Sequence, residues 1–456
     1  MALPFAKIED FVSGRVAGGS VRGLAGSATV VIDSRKVTKG ALFVALKGEH
    51  HDAHSFITPA LARTAAACVV NQSWYAVKKP RYGRFILVED TGDTLMRMAS
   101  AYLQYLGTRV VAVTGSNGKT TTRAMIARVL AAKYRVHATR GNFNNRIGLP
   151  LSVFEISPRD DITVLELGAN HFGEISELSW IVKPDIAVIT NIGHSHLEFF
   201  KDRKGVLKAK TEIVHGMRSG GVLVVNGDDD LLNKYEPPRR ITKRDYGFAG
   251  ERGYRGSGLT TGFLRGGTFT FNGVAMVTPL PGNGAAANAL CAAAVGDLLG
   301  VTARETQKAL ARIEAPENRM DMRIVGGARI IADCYNANPD SMANAFGLLK
   351  AEKIAGRKIA VLGDMRELGA QAALYHRQTG ALAAKSGVKL LFTLGELGRK
   401  IAQGAIAAGL HNVYSFAEKE KDALADVLRS SLKKGDLVLI KGSHSMGMEE
   451  IVERLE

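Results

Sequence analysis

Short apolar runs alternate with stretches of helical spacing along most of the chain. Residues 109–114, 162–167, 186–190 and 222–226 are largely apolar and β-branched, the pattern of strands buried on both faces. After the first of them, residues 121–133 bring Met125, Ile126, Val129 and Leu130 round at helical spacing, which buries one face of a helix. Alternation of this kind predicts a parallel sheet covered by helices. From 258 to 280, glycine turns between short Thr, Phe and Val runs predict a β-hairpin insertion, and the alanine-rich stretch 285–299 predicts a helix.

The flanking sections have their own textures. Before residue 84 there are short β-like runs at 28–32, 41–46 and 67–70 and one helical stretch at 60–66, the makings of a small α/β unit. After Pro316, which supports a break, strand and helix patterns alternate again, with strands at 328–332, 358–362, 389–393 and 437–440. That is a doubly wound, Rossmann-like pattern, but no dinucleotide glycine fingerprint follows its first strand, so no nicotinamide site is predicted. The reading is an α/β protein of three domains: an N-terminal one over 1–84, a central parallel-sheet one over 85–314 and a C-terminal Rossmann-like one over 315–456. No solenoid repeat or low-complexity tract interrupts them.

Composition narrows the class. A chain of 456 residues with 46% hydrophobic content is long enough for about three packed cores. No apolar run approaches the roughly 18–20 residues that span a bilayer, so no membrane insertion is expected. The first ten residues lack the basic start and apolar stretch of a signal peptide. Cys68, Cys291 and Cys334 are too few and too scattered for a disulfide framework or a thiolate metal site, and a cytoplasmic location with reduced thiols is expected. Much of the net charge of +16 sits in residues 201–210 and 234–244, the second of which reads as a solvated loop. Aromatic residues make up only 7% of the chain and form no RNA-binding strand signature, so nucleic acid is not an expected partner; small anionic substrates fit the charge equally well.

Candidate chemistry centres on one loop. The strand at 109–114 runs into T-G-S-N-G-K-T-T, formed by Thr114, Gly115, Ser116, Asn117, Gly118, Lys119, Thr120 and Thr121, and a helix opens directly from it. Backbone N–H groups at such a turn, together with the positive end of the helix dipole, attract phosphate. Lys119 adds charge for the terminal phosphates and the Thr120 hydroxyl can hold Mg²⁺. The strict P-loop pattern has a further glycine where this chain has Val113, so the loop is a shorter variant and the central domain is P-loop ATPase-like. A plain glycine turn with a surface lysine is the competing reading.

Other candidates lie at strand ends. Glu166 closes the strand at 162–167 beside the loop and is placed to hold Mg²⁺ directly or through water, or else simply to cap the following turn. His194, His196 and Glu198 leave another strand at a spacing of two, which in an extended segment puts them on one side and makes them candidate metal ligands, His196 first. Lys208 and Lys210 sit in a helical stretch where lysines ordinarily point to water.

Taken together, the loop, the strand-end Glu166, the T-N-I-G-x-x-H segment from Thr190 to His196 and the following Ala209-Lys210 resemble the ATP-dependent Mur ligases. These enzymes add amino acids to the peptide of a cell-wall precursor and are related to folylpolyglutamate synthases. Further likeness lies in Asp33-Ser34-Arg35, in G-N-F-N-N-R-I-G at 141–148, in Y-N-A-N-P-D-S-M at 335–342 and in L-G-D-M-R-E-L-G at 362–369. The last two runs resemble the branch that joins D-alanyl-D-alanine to UDP-N-acetylmuramoyl-tripeptide.

The resemblance implies ATP and Mg²⁺ as cofactors, those two substrates, an acyl-phosphate intermediate, and a monomer as the working unit. It implies that Thr120 and Glu166 hold one Mg²⁺, that His196 helps hold a second, and that Lys210 stands where relatives carry a carbamylated lysine. Ser34 and Arg35 match a uridine-side motif, and Asn144 and Asn145 a segment facing the nucleotide sugar. Arg319, Asp333, Asn336 and Asn338 match the edge that closes over ATP and the dipeptide. Two departures stand out. Ala53 replaces a glycine before His54, and Gly284 and Ala285 replace the histidine and asparagine of a G-x-H-N-x-x-N run; Asn288 keeps its place and Asn283 is left to meet the adenine. The alternatives are another Mur ligase, a folylpolyglutamate synthase, or a noncatalytic or RNA-binding P-loop protein. RNA binding that falls steeply with salt would mark the last of these.

Overall fold

The computed structural model describes residues 3–48, 50–315 and 319–456. Three sheets carry three successive sections of the chain. The central sheet has seven strands, in the order Tyr254–Arg255, Thr242–Gly247, Val222–Asn226, Ile186–Ile189, Arg109–Thr114, Ile162–Glu166 and Val136–Ala138. Every pairing within it is parallel. The four strands legible as apolar runs are its middle, where helices cover both faces, and their side chains are almost wholly buried.

The N-terminal sheet has five strands, Arg15–Ala17, Phe85–Val88, Ala67–Asn71, Leu42–Val44 and Val30–Val31, antiparallel only at the first pair. This corrects the expected boundary at residue 84. Phe85–Val88 is a buried apolar strand paired on both sides within the first domain. Arg84 ends a surface turn, and the change in texture there marks that turn rather than a domain edge. The helix Thr91–Leu106 follows, capped by the Asp90 carboxylate on the Asp93 N–H. Its first residue donates from the Thr91 hydroxyl to the Ala45 carbonyl, and further along Tyr102 donates to Ile156. One continuous rod therefore joins the first two domains.

The third sheet has six strands in the order Asp321–Val325, Ala328–Asp333, Leu437–Lys441, Lys358–Gly363, Val388–Leu394 and Val413–Phe416, with the first pair antiparallel. The two outer strands went unread because an edge strand exposes alternate residues and has little apolar density: Met322 and Ile324 face outward. Pro316, read as a break, lies outside the described residues.

The expected hairpin is a three-stranded antiparallel sheet, Ser257–Gly262, Gly266–Phe271 and Val274–Thr278. The alanine-rich helix runs Gly282–Leu298 and is buried on nearly all sides, which small side chains permit. It packs on the helix Lys119–Leu130, where a Cβ at Gly296 would come within 2.6 Å of Val129. The stretch 234–244 is also not simply a solvated loop. Thr242–Gly247 is a sheet strand, and Lys243 and Arg240 donate to main-chain carbonyls of Tyr235, Asn233, Met217 and Val214. Cations there serve as partners for backbone carbonyls at the ends of neighbouring segments.

In the third domain the helices Ala372–Lys385 and Gly398–Ala407 cross at reciprocal glycines. A Cβ at Gly404 would lie 1.9 Å from the Arg377 carbonyl oxygen, and one at Gly380 1.9 Å from that of Ile401. Rigid backbone on both sides leaves no room to yield. Gly404→Ala is expected to destabilise the protein by about 1–3 kcal/mol in denaturant titration, despite the better helix propensity of alanine.

Candidate active site

The loop between Thr114 and Lys119 is shaped by contacts that only glycine allows. Gly115 has φ 142°, and a Cβ on it would lie 2.0 Å from the Thr190 hydroxyl. Gly118 has φ 79°, and a Cβ there would meet the Asn288 amide at 2.8 Å. The segment leaving the neighbouring strand fastens the loop: the Thr190 hydroxyl donates to the Asn117 carbonyl at 2.7 Å, and Asn191 brackets Asn117, accepting from its N–H and donating to its carbonyl. Gly193 N–H and the Ser195 hydroxyl both donate to the Ser116 hydroxyl. Thr190 and Asn191 thus hold the loop in shape, although only their place in a motif pointed to them. The helix Lys119–Leu130 starts directly at the cradle, with its free N–H groups and dipole aimed into it.

Lys119 folds back to donate to the carbonyls of Gly115 at 3.0 Å and Ser116 at 3.4 Å. Burial pushes its amine below the usual lysine range, and the charge of Glu166 opposes that shift. Glu166 is buried at the end of its strand; one carboxylate oxygen accepts from the Asn144 amide at 2.9 Å, and the other lies 3.5 Å from Arg123 with no hydrogen bond. Arg123, which the sequence reading passed over, is a buried arginine one helical turn beyond Lys119 and donates to the Gly141 carbonyl.

The third domain supplies the opposite wall. Arg319 lies over the Tyr335 ring at 3.9 Å and donates to the Thr120 hydroxyl at 3.1 Å. Buried Lys441 pairs with Asp333 and donates to the Asn336 carbonyl at 2.9 Å. Asn338 caps the helix Pro339–Ala351 and also donates to the Asn117 side chain at 2.8 Å. Asn338 thus both caps its helix and reaches the loop, without lining the cleft itself.

The histidine pattern resolves differently from its reading. The chain does not stay extended: His196 has φ 51° and a short helix, Leu197–Phe200, starts after it. Alternation fails at that point. His194 turns to the third domain and pairs with Asp340, 3.0 Å from Nδ1, and its N–H donates to the same carboxylate. Glu198 is exposed. His196 alone lines the cleft, with Nδ1 lying 2.5 Å from a Glu367 carboxylate oxygen but off the N–H axis. Burial pulls its imidazolium below the usual histidine range, Glu367 opposes this, and Lys210 adds to it. A non-glycine residue in the left-handed region costs about 1–2 kcal/mol, and the Glu367 backbone shares that conformation, with φ 62°.

Lys210 does not point to water as a helix lysine ordinarily would. It is fully buried, its amine has no hydrogen-bond partner, and it lies 5.6 Å from the Phe200 ring centre. Burial, reinforced by the Lys119 charge, pushes it down to about 7, whereas Lys208 stays near the surface. All three cysteines are buried and pushed up to about 12, which leaves no thiolate nucleophile.

These walls enclose a cleft of about 1590 Å³. That exceeds the roughly 300–1,000 Å³ of an ordinary ligand site and has room for several substrates together. Asn144, Asn145, Asn288, Arg319, Asp333 and Asn336 line it with the loop. Asn145 sits at its rim and caps the helix Gly148–Phe154 by accepting from Ile147 and Gly148. Ser34 and Arg35 lie in a short turn of the first domain, where Arg35 pairs with Asp33, and neither lines the cleft. Asn283 lines the cleft beside Gly284 and accepts from the Thr261 hydroxyl.

Among the described residues no three His, Cys, Asp or Glu side chains converge as a metal cage. Mg²⁺ bound with a nucleotide needs none, taking phosphates, waters and one or two protein oxygens. The Glu166 oxygen that makes no hydrogen bond, in the cleft lining, suits such an ion.

Residues 113–296 match the Mur ligase middle domain and 318–444 the Mur ligase glutamate ligase domain. The chain belongs to the Mur ligase family. Within that family it is 40% identical to the UDP-N-acetylmuramoyl-tripeptide–D-alanyl-D-alanine ligase of Bacillus subtilis, over 93% of this chain and 92% of that one. Among solved structures, MurF of Acinetobacter baumannii superposes with a TM-score of 0.88 at 26% identity, covering 100% and 99% of the two chains. MurF ligase of Thermotoga maritima, in complex with ADP, gives 0.83 at 29% identity, covering 94% and 97%.

Lys119→Ala is expected to cut turnover by about 100-fold or more while moving the melting temperature by no more than about 2 °C, because its partners are loop carbonyls at a cleft and not core. Parallel kinetics and thermal unfolding check this.

Proposed function

We propose that this chain joins D-alanyl-D-alanine to UDP-N-acetylmuramoyl-tripeptide, cleaving ATP to ADP and phosphate. The observation that carries the reading is a phosphate loop facing Arg319 and Lys441 across one cleft, in a chain 40% identical over nearly its whole length to a ligase of that name. An oxygen of the tripeptide's terminal carboxylate attacks the γ-phosphorus; the bond to the bridging oxygen breaks, ADP leaves and an acyl phosphate forms. The dipeptide amine then attacks the acyl carbon, phosphate departs, the amine gives up a proton, and an amide remains.

Every participant except the amine is anionic, so repulsion dominates the barrier. Lys119 and Arg319 supply positive charge from two domains, and the cleft holds the reacting groups in line. Glu166 and Thr120 would hold a Mg²⁺, with His196 near a second; bound there, such ions neutralise phosphate charge. Ser34 and Arg35 take the uridine end of the precursor, while Asn144 and Asn145 face its sugar. Asn288 and Asp333 flank ATP, with Asn283 left for the adenine edge. Asn336 and Asn338 border the dipeptide. The working unit in this reading is a monomer. No helix among the described residues is long and apolar enough to cross a membrane, in keeping with a cytoplasmic enzyme acting on a soluble precursor.

Lys210 supports a further part of this reading. An amine pushed down to about 7 is largely neutral at pH 8 and nucleophilic, whereas an ordinary lysine is still charged there. Attack of its nitrogen on CO₂ with loss of one proton gives a carbamate and replaces an unpaired buried amine with an anion near His196.

Purified protein is expected to release ADP only when both the UDP-linked tripeptide and D-alanyl-D-alanine are present, with product mass equal to their sum less water. ATP consumption independent of the dipeptide would overturn the assignment. In ¹³C-bicarbonate at pH 8, wild type should show a carbamate carbon resonance that Lys210→Met abolishes; an unchanged resonance in the variant would place the carbamate elsewhere.

A further inference from the structure

We propose that Glu367 is a positioning residue for the ligation: the third domain reaches across with its carboxylate to fix the His196 ring, so that the ring nitrogen facing the cleft is set only when that domain is docked. The inference rests on the proposed ligase reading and adds a coupling between domain docking and the geometry of the site.

Three observations carry it. First, the contact joins two residues with left-handed backbone, His196 at φ 51° and Glu367 at φ 62°, neither of them glycine. Strain of this kind persists where the surroundings over-determine it, and it clusters at functional sites. Second, the loop bearing Glu367 is pinned residue by residue. The Asp364 carboxylate accepts from Gly398 at 2.7 Å, Met365 N–H donates to His376 and Arg366 N–H donates to Ser443. These bonds occupy the conspicuous 362–369 run, which the proposed chemistry leaves without a task. Third, the loop closes on its target through backbone as well. Glu198 N–H donates to the Glu367 carbonyl at 3.0 Å, and a Cβ at Gly369 would lie 3.1 Å from Glu198 Cα.

A carboxylate beside Nδ1 favours the tautomer with its proton on Nδ1 and leaves the Nε2 lone pair for the cleft. The ring also packs edge-on against Phe200 at 6.2 Å, which limits its rotation. Removing Glu367 frees the tautomer and the ring without touching the nucleotide loop.

The experiment compares Glu367→Gln, Glu367→Ala and Glu367→Gly in the full chain. Glycine tolerates the backbone angle, so Glu367→Gly separates loss of the carboxylate from misfolding. Turnover should fall about 10- to 100-fold in Ala and Gly with KM for ATP nearly unchanged, and Gln should recover most of it because its amide oxygen still stands beside Nδ1. Histidine-selective ¹⁵N NMR without substrates, assigned with His196→Gln, should show the Nδ1–H tautomer in wild type and a shift toward Nε2–H in Ala. Wild-type turnover in the Gly variant, a wild-type Nε2–H tautomer, or a tautomer indifferent to Glu367 would each overturn the proposal. The tautomer reading needs no ligase activity, so failure of the ligase assignment would leave it separately measurable.

Discussion

The hydrogen bonds that Thr190 and Asn191 make to Asn117 hold the whole site together. A glycine-bordered loop is intrinsically loose, and its amides can cradle phosphate only while something fixes the peptide planes. Here a segment from the adjacent strand does so with side chains that reach the main chain of the loop. Because both segments leave the carboxyl ends of paired parallel strands, the sheet register sets their separation. The shape of the loop is thus inherited from the fold.

Charge is handled on the same plan. Unpaired cations are costly to bury, yet Lys119 and Lys210 both sit deep beside the cleft. Lys119 shares the field of Glu166 and contacts two carbonyls, whereas Lys210 contacts no acceptor and has its proton affinity depressed. On the facing wall, Lys441 is matched by Asp333. The excess of basic residues is therefore partly internal. Arg240 and Lys243 show the same use of cations further out, as partners for otherwise bare carbonyls.

Local patterns were legible in the chain wherever the physics is local. The central strands, the loop with its helix and the strand-end position of Glu166 follow from contiguous residues, and the structure has them within two or three residues. What escaped depends on contacts between distant segments. Phe85–Val88 reads as a strand, but its partners decide its domain. A left-handed His196 breaks an alternation that composition alone suggests is continuous. The burial of Lys210 and the pairings of His194 with Asp340 and His196 with Glu367 join residues far apart in sequence, and no periodicity encodes them.

The rod from Thr91 to Leu106 has a mechanical corollary. Sixteen residues of uninterrupted helix span about 24 Å, anchored by Thr91 on the first domain and by Tyr102 on the second, so those two bodies share a strut and not a tether. Around the loop, by contrast, the third body grips through side-chain polar contacts such as Asn338 on Asn117 and Asp340 on His194. Away from the loop the same two bodies also meet through apolar packing, with Leu348 against Gly282, and through the Glu198 N–H on the Glu367 carbonyl. The first joint is thus a shared helix, whereas the second is an interface between separate surfaces.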